Sequence, residues 1–306
     1  MIYIWVIPAF VAATAGTLLL GLLSKWIDRK VTARVQWRVG PPWYQPLADI
    51  LKLLGKETLA PDGSRGTGFL FMPLLGFAAV SVAATILWWI TLRPGSGFIG
   101  DVIVVLYLLT IPALTIVLGG SSSGNPLAAV GAAREAKLLL AYELPLLLVI
   151  LAAIIGADTS FALGALKQSE TVHILPTIGC VLGFIIAVLC MQAKLGLVPF
   201  DIAEADCEIA TGPFIEYSGV PLALIHITKA MMLAVLPLFI ITIFWNGLSF
   251  GSVLGIFASL GKYVLVLVLL VLIRNTNPRV RIDHALRFFW FLLTPLAVIA
   301  LVLSML

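Results

Sequence analysis

The sequence predicts an all-α integral membrane protein with eight transmembrane helices and a short amphipathic helix in the first cytoplasmic loop. Of its 306 residues, 61% are hydrophobic and only 11% charged, where soluble domains carry roughly a quarter. Mean hydropathy is +1.12, and a chain with so much apolar surface to bury is not disordered. The apolar residues fall into eight runs, at about 2–24, 69–92, 102–119, 138–156, 174–192, 220–245, 252–273 and 287–306. Each meets or approaches the roughly 20 residues that cross a bilayer.

The first run opens Met1-Ile2-Tyr3-Ile4-Trp5 without the basic region of a signal peptide, and it reads as a retained first helix. Irregular backbone cannot face lipid, so every run is expected to be helical. The prolines in or near them (Pro73, Pro112, Pro145, Pro176, Pro237, Pro295) are tolerated where neighbours satisfy the freed carbonyls. The net charge of +4 belongs to orientation rather than to nucleic-acid binding. Loop 25–68 carries Lys25, Arg29, Lys30, Arg34, Arg38, Lys52, Lys56 and Arg65. Arg134 and Lys137, then Lys194, then Arg274, Arg279 and Arg281 follow in alternate loops, against Arg93 and Lys167 in the other set. These basic loops therefore face the cytoplasm and both termini lie outside. Residues 1–306 read as one polytopic membrane domain, with no internal repeat and no broken helix at mid-membrane.

The cytoplasmic loops hold the chemistry. In the first, a helix from Pro46 to Glu57 places Leu47, Ile50, Leu51 and Leu54 on one face and Asp49, Lys52 and Lys56 on another, the pattern of an interfacial helix. A positive-inside loop touching headgroups is the plainer reading, but Gly40-Pro41-Pro42 imposes a turn that a charge anchor does not need. The loop at 120–137 has glycines without the lysine spacing of a phosphate-binding loop. Just beyond it, Glu143 stands inside an apolar run, either at the interface reaching water or as a functional group.

In the third inner loop, Asp201, Glu204, Asp206, Glu208 and Glu216 stand on the side where basic residues dominate. Glu204 and Glu208 share a face if the stretch is helical. Like charges there push carboxyls toward neutral-range titration, which suits proton exchange. A solvated acidic loop is the bland alternative, and a cation cluster the third, though the ligand spacing of a calcium loop is missing. Lys229 and Lys262 fall near the middles of spans six and seven, where one could snorkel. Two such lysines, with Glu143 and the acidic loop, suggest a polar chain entering the membrane. His173, His226 and His284 are scattered, and Cys180, Cys190 and Cys207 form no CxxC pair, so no metal or cluster site is expected.

Three motifs resemble the NuoH-like membrane-protein family of respiratory complex I and its relatives in membrane-bound, energy-converting NiFe hydrogenases. They are Asp28-Arg29-Lys30 through Gln36-Trp37-Arg38-Val39-Gly40-Pro41 with Gln45 to Asp49 and Lys52 to Glu57; Arg134 with Tyr142-Glu143; and Pro199-Phe200-Asp201, Glu204, Glu208 and Glu216-Tyr217-Ser218-Gly219. Leu197 stands where quinone-reducing members carry arginine, and Pro42-Trp43-Tyr44, Ala203, Asp206 and Cys207 also depart from them, closer to the hydrogenase branch. The resemblance implies the eight-span fold and a subunit without its own redox centre. It would sit beneath hydrogenase-like large and small subunits that hold 4Fe–4S clusters and a NiFe centre, beside antiporter-like membrane subunits. Ferredoxin oxidation and hydrogen evolution there would drive proton or sodium-ion translocation. On that reading Arg34, Arg38, Asp49 and Lys52 dock the peripheral arm. Asp201, Glu204, Asp206, Glu208 and Glu216 form an acidic mouth, and Glu143, Lys229 and Lys262 extend the path inward. The alternatives are the quinone-binding NuoH-like subunit of complex I itself, the equivalent subunit of a sulfur-reducing complex, a secondary transporter, or a passive anchor.

Overall fold

The computed structural model describes residues 6–61, 63, 64, 66–93, 95, 97, 98, 100–156, 161–168 and 178–305. In chain order the helices are α1 (Val6–Val35), α2 (Gln45–Leu54), α3 (Gly66–Leu92), α4 (Asp101–Leu108), α5 (Ile111–Ser122), α6 (Pro126–Gly156), α7 (Leu163–Gln168) and α8 (Ile178–Lys194). They continue with α9 (Asp206–Ile209), α10 (Gly219–Phe244), α11 (Val253–Thr276), α12 (Ile282–Arg287) and α13 (Thr294–Met305). No strand occurs among the described residues. This is what lipid requires, since each crossing must close its backbone hydrogen bonds within itself.

Among the described residues, seven helical stretches are long and apolar enough to cross a membrane, counting α4–α5 and α12–α13 as one each; α8 is a shorter apolar helix. The chain is a multi-pass membrane protein with the predicted eight spans. The part of span five before Ile178, and His173, lie outside the described residues. Large apolar side chains such as Leu140 (66% exposed), Phe257 (68%) and Phe291 (78%) point outward, as they do where the surrounding solvent is lipid.

Three departures from the sequence reading matter. First, α1 runs on to Val35 and α6 begins at Pro126, both about three turns beyond their apolar runs. Charge ends a hydropathy window, but it does not end a helix whose polar residues face protein. Second, the third span is broken. α4 stops at Leu108, and α5 restarts at Ile111 with Pro112 in its first turn, where proline's missing N–H costs nothing. The expectation of no broken helix is therefore overturned. Third, the last span contains a π-helical turn, Phe288–Leu293. It turns Phe289 inward against Phe200 (ring centroids 4.8 Å apart) and Tyr142 (6.5 Å).

α10 is the central post, buried almost continuously from Ala230 to Phe244. α1 crosses it closely: a Cβ on Gly21 would run into the Ala230 carbonyl. The four long loops meet on one face. Asp28 pairs with Arg274 at 2.5 Å, Val280 N donates to Pro199 O at 3.0 Å, Leu59 N to Ser218 Oγ at 3.0 Å, and Asn125 Nδ2 to Glu216 Oε1 at 2.6 Å. The described ends at Val6 and Met305 lie at the opposite face, with the Leu163 N to Asp101 Oδ1 hydrogen bond of 2.6 Å.

α2 lies against α1 and α10, with Pro46 buried and Ile50 packed on Leu22 and Ala230. Leu47, Leu51 and Leu54 stay exposed at its edge. Asp49 fixes it by accepting from Arg29 (2.8 Å) and Gln45 (2.9 Å). Burial alone would raise the Asp49 carboxyl, but those hydrogen bonds and the Arg29 charge hold it below the usual aspartate value of 3.8. Its stabilising contribution is present above that value and is lost as pH falls through the depressed one. Hydrogen exchange of residues 45–54, corrected for intrinsic rates, should rise below about pH 4. In Asp49→Asn it should already be raised at neutral pH, with the acid dependence gone.

Candidate ion path

On the loop face a chamber of about 710 Å³ opens between α1, α10 and the segment 195–204. Lys25, Arg29, Lys229, Arg274 and Arg279 line it on the basic side, and Asp28, Asp201 and Glu204 on the acidic side. Each acid is tied to a base: Asp28 to Arg274, Asp201 to Arg279 at 2.9 Å, and Glu204 to Lys229. Burial pushes the Asp201 carboxyl above its ordinary value, against the pull of Arg279. Lys229 also lies over the Phe214 ring, 4.4 Å from its centroid, and both side chains line the chamber.

Glu204 and Lys229 line a second, smaller cavity of about 40 Å³ as well. Its other polar walls are Thr115, Glu135, Lys194 and Thr228. Beyond it stands a secluded pair, Lys194 Nζ to Glu143 Oε2 at 3.0 Å, with side chains 1% and 14% exposed. The break between α4 and α5 serves this pair. Thr110, in the gap, donates to Glu143 Oε1 at 2.9 Å and accepts from Lys194 at 2.9 Å. Lys194 also sits 5.6 Å from the centre of the Tyr142 ring. The arrangement runs from half-buried ion pairs in the chamber wall, through the small cavity, to the secluded Glu143–Lys194 pair. Its carboxylates and ammoniums are of the kind that hold protons or small cations.

Of the residues expected in the path, the structure brings Glu204 and Lys229 together in the wall of the small cavity, which Glu143 meets only through its partner Lys194, with Asp201 in the chamber wall. Glu208, 57% exposed, pairs with Arg134 at 2.6 Å beside a surface cavity of about 280 Å³ that Asp201 also lines. Glu204 and Glu208 do not share a helical face: α9 spans only Asp206–Ile209, and Ala205 before it is extended. The Asp206 side chain lies outside the described residues. Glu216 is held by Asn125 at the junction of the loops, lining neither cavity. Lys262 is far from the rest. It donates to Trp245 O at 2.9 Å, capping α10 at the opposite face, as a snorkelling lysine does.

Of the four residues expected to dock a peripheral arm, Arg34, Arg38 and Lys52 are exposed on the loop face, whereas Asp49 turns inward to Arg29. Lys194, Glu135 and Thr110 had no part in the sequence reading of the path. Lys194 read as a loop base, Glu135 as part of a connector, and Thr110 as one more residue in an apolar run. His226 lines the chamber alongside Lys229 rather than packing in a dry core. No group of three or more metal-binding side chains occurs among the described residues.

A family model described as NADH dehydrogenase matches residues 8–305. The chain belongs to that family. It is 30% identical to the H-type subunit of the NADH-quinone oxidoreductase of Thermomicrobium roseum, covering 92% of this chain and 90% of that one. The corresponding NADH-quinone oxidoreductase chain of Dehalococcoides mccartyi strain CBDB1 is 29% identical over 99% of this chain and 85% of its own length. Among solved structures, a chain of the membrane-bound sulfane sulfur reductase, an archaeal respiratory membrane complex, superposes with a TM-score of 0.88 at 32% identity, covering 97% of this chain and 99% of that one. The family membership agrees with the resemblance carried by the loop motifs.

The Glu143–Lys194 pair gives a direct test of its own energetics. Breaking a buried pair by removing one partner leaves an uncompensated charge, at a cost of about 3–5 kcal/mol. Lys194→Met should lower thermal stability in detergent markedly. Adding Glu143→Gln to Lys194→Met should restore most of it, and a double-mutant cycle by calorimetry reads the difference.

Proposed function

We propose that this chain is the membrane subunit of a ferredoxin-dependent, energy-converting hydrogenase complex, in which it anchors the peripheral redox arm and couples hydrogen evolution to proton or sodium-ion translocation. The carrying observation is the buried Glu143–Lys194 pair, linked through the small cavity to Glu204–Lys229 and the chamber. Paired charges deep in a membrane protein are costly, and an ion path is the use that most directly accounts for them. The relatives belong to respiratory complexes, which supports membership of a multisubunit assembly.

On this reading the loop face, rich in Lys and Arg, is cytoplasmic, and both termini lie outside the cell membrane. The exposed Arg34, Arg38 and Lys52 meet hydrogenase-like large and small subunits, antiporter-like subunits pack alongside in the bilayer, and the 4Fe–4S clusters and NiFe centre are held by the partners. An ion drawn into the chamber meets Glu204–Lys229 first. Separation of that pair, driven by events in the peripheral arm, passes charge to Glu143–Lys194 and onward.

A second reading differs only in the electron acceptor. The near-complete structural match to the sulfane sulfur reductase favours sulfur reduction in place of hydrogen evolution. Metal analysis of the complex copurified with this chain separates the two: nickel with hydrogen evolution supports the first, and sulfur-dependent turnover without nickel supports the second. In proteoliposomes, Glu143→Gln should leave redox turnover intact while ion uptake falls by about a hundredfold. Undiminished uptake removes Glu143 from the path.

A further inference from the structure

Both bases in the wall of the small cavity are already matched, and one of its two acids is not. Lys194 is satisfied by Glu143 and Lys229 by Glu204. Glu135, on α6, is 7% exposed, lines the same cavity, and none of the hydrogen bonds or ion pairs of the described residues reaches its carboxyl. An anion in such a place has lost most of its water; the nearby Lys229 charge eases that loss, but the nearby Glu204 carboxylate adds to it, so the neutral acid is the favoured form. A neutral acid still needs hydrogen-bonding partners. The cavity has room for about two waters, and Thr115, Thr228 and the two lysines offer them further polar contacts.

We propose that Glu135 rests protonated and stores the proton that the path delivers, exchanging it through cavity water with Glu204 on the chamber side and with Glu143 on the inner side. This deepens, and rests on, the reading of the ion pairs as a translocation path. Glu135 and Glu143 lie eight residues apart on α6, about 12 Å along its axis, too far for direct transfer. Water must bridge the gap, and the Tyr142 hydroxyl, buried without a partner, stands on the way. In the transfer the O–H bond of Glu135 breaks and one forms on Glu143, which releases Lys194. Glu204, an anion while paired with Lys229, takes up a proton from the chamber, which frees Lys229, and passes that proton on to reload Glu135; no electrons are exchanged.

The test is infrared difference spectroscopy of the full-length chain in lipid nanodiscs, needing neither partner subunits nor turnover. The wild type should show a protonated-carboxyl C=O band at neutral pH, shifted in D2O, that disappears in Glu135→Gln. The band should move without vanishing in Glu135→Asp and persist in Glu216→Gln, whose carboxyl lies outside the cavity. Absence of the band at neutral pH, or its loss in Glu204→Gln but not in Glu135→Gln, overturns the proposal. Displacement of the band by added sodium chloride also overturns it, because the site then takes a cation. The path and the store fail separately: full ion uptake by Glu143→Gln complexes disposes of the path even if the band is present, and a missing band disposes only of the store.

Discussion

The architecture depends on the price of a charge in a place without water. Lys194 and Glu143 are almost wholly hidden, and neither could be there alone. Keeping both requires a hydroxyl within reach of each, which Thr110 supplies by standing where α4 has ended and α5 has not begun. The interruption is slight: Thr110 keeps helical dihedrals and its carbonyl still accepts from Leu114 N at 3.3 Å, so its hydroxyl reaches both charges without leaving the line of the span.

The same constraint orders the loop face. Asp28, Asp201, Glu204 and Glu208 each come from a different position in the chain, yet each finds a base on another segment. These pairs draw the ends of α1, α6, α10 and α11 and the connections after α8 and α11 into one assembly. Phe200, between Pro199 and Asp201, is packed against Phe289 in the π-helical turn, so an irregularity in the last span sets the position of the acidic loop. Gly219 completes the arrangement at the foot of α10: its φ of +58 and the nearby Glu57 carbonyl leave no place for a side chain.

The eight spans were legible because apolar runs of spanning length have few other uses. Helix ends were not, since Lys25, Asp28 and Arg29 in α1, and Arg134 and Glu135 in α6, interrupt hydropathy while the backbone winds on unchanged. Glu143 was legible as an acid inside an apolar run. Its partner was not: Lys194 lies 51 residues away and at the end of a span, where a lysine ordinarily marks orientation. Lys229 and Lys262 gave the same signal, a base near mid-span, and only tertiary geometry separates a lysine paired with a carboxylate from one reaching a helix-end carbonyl. Glu135 was invisible because an acid beside Arg134 and Lys137 looks solvated, and only packing reveals that it faces inward.

The wall of the chamber has one more implication. Five basic side chains face three acids there, and such an excess sets up a positive field that repels metal cations and gathers anions. On the proposed reading of the chamber as the mouth of an ion path, that field would favour a proton vacancy, moving opposite to the net proton flow, over a hydrated metal cation that brings its whole charge with it.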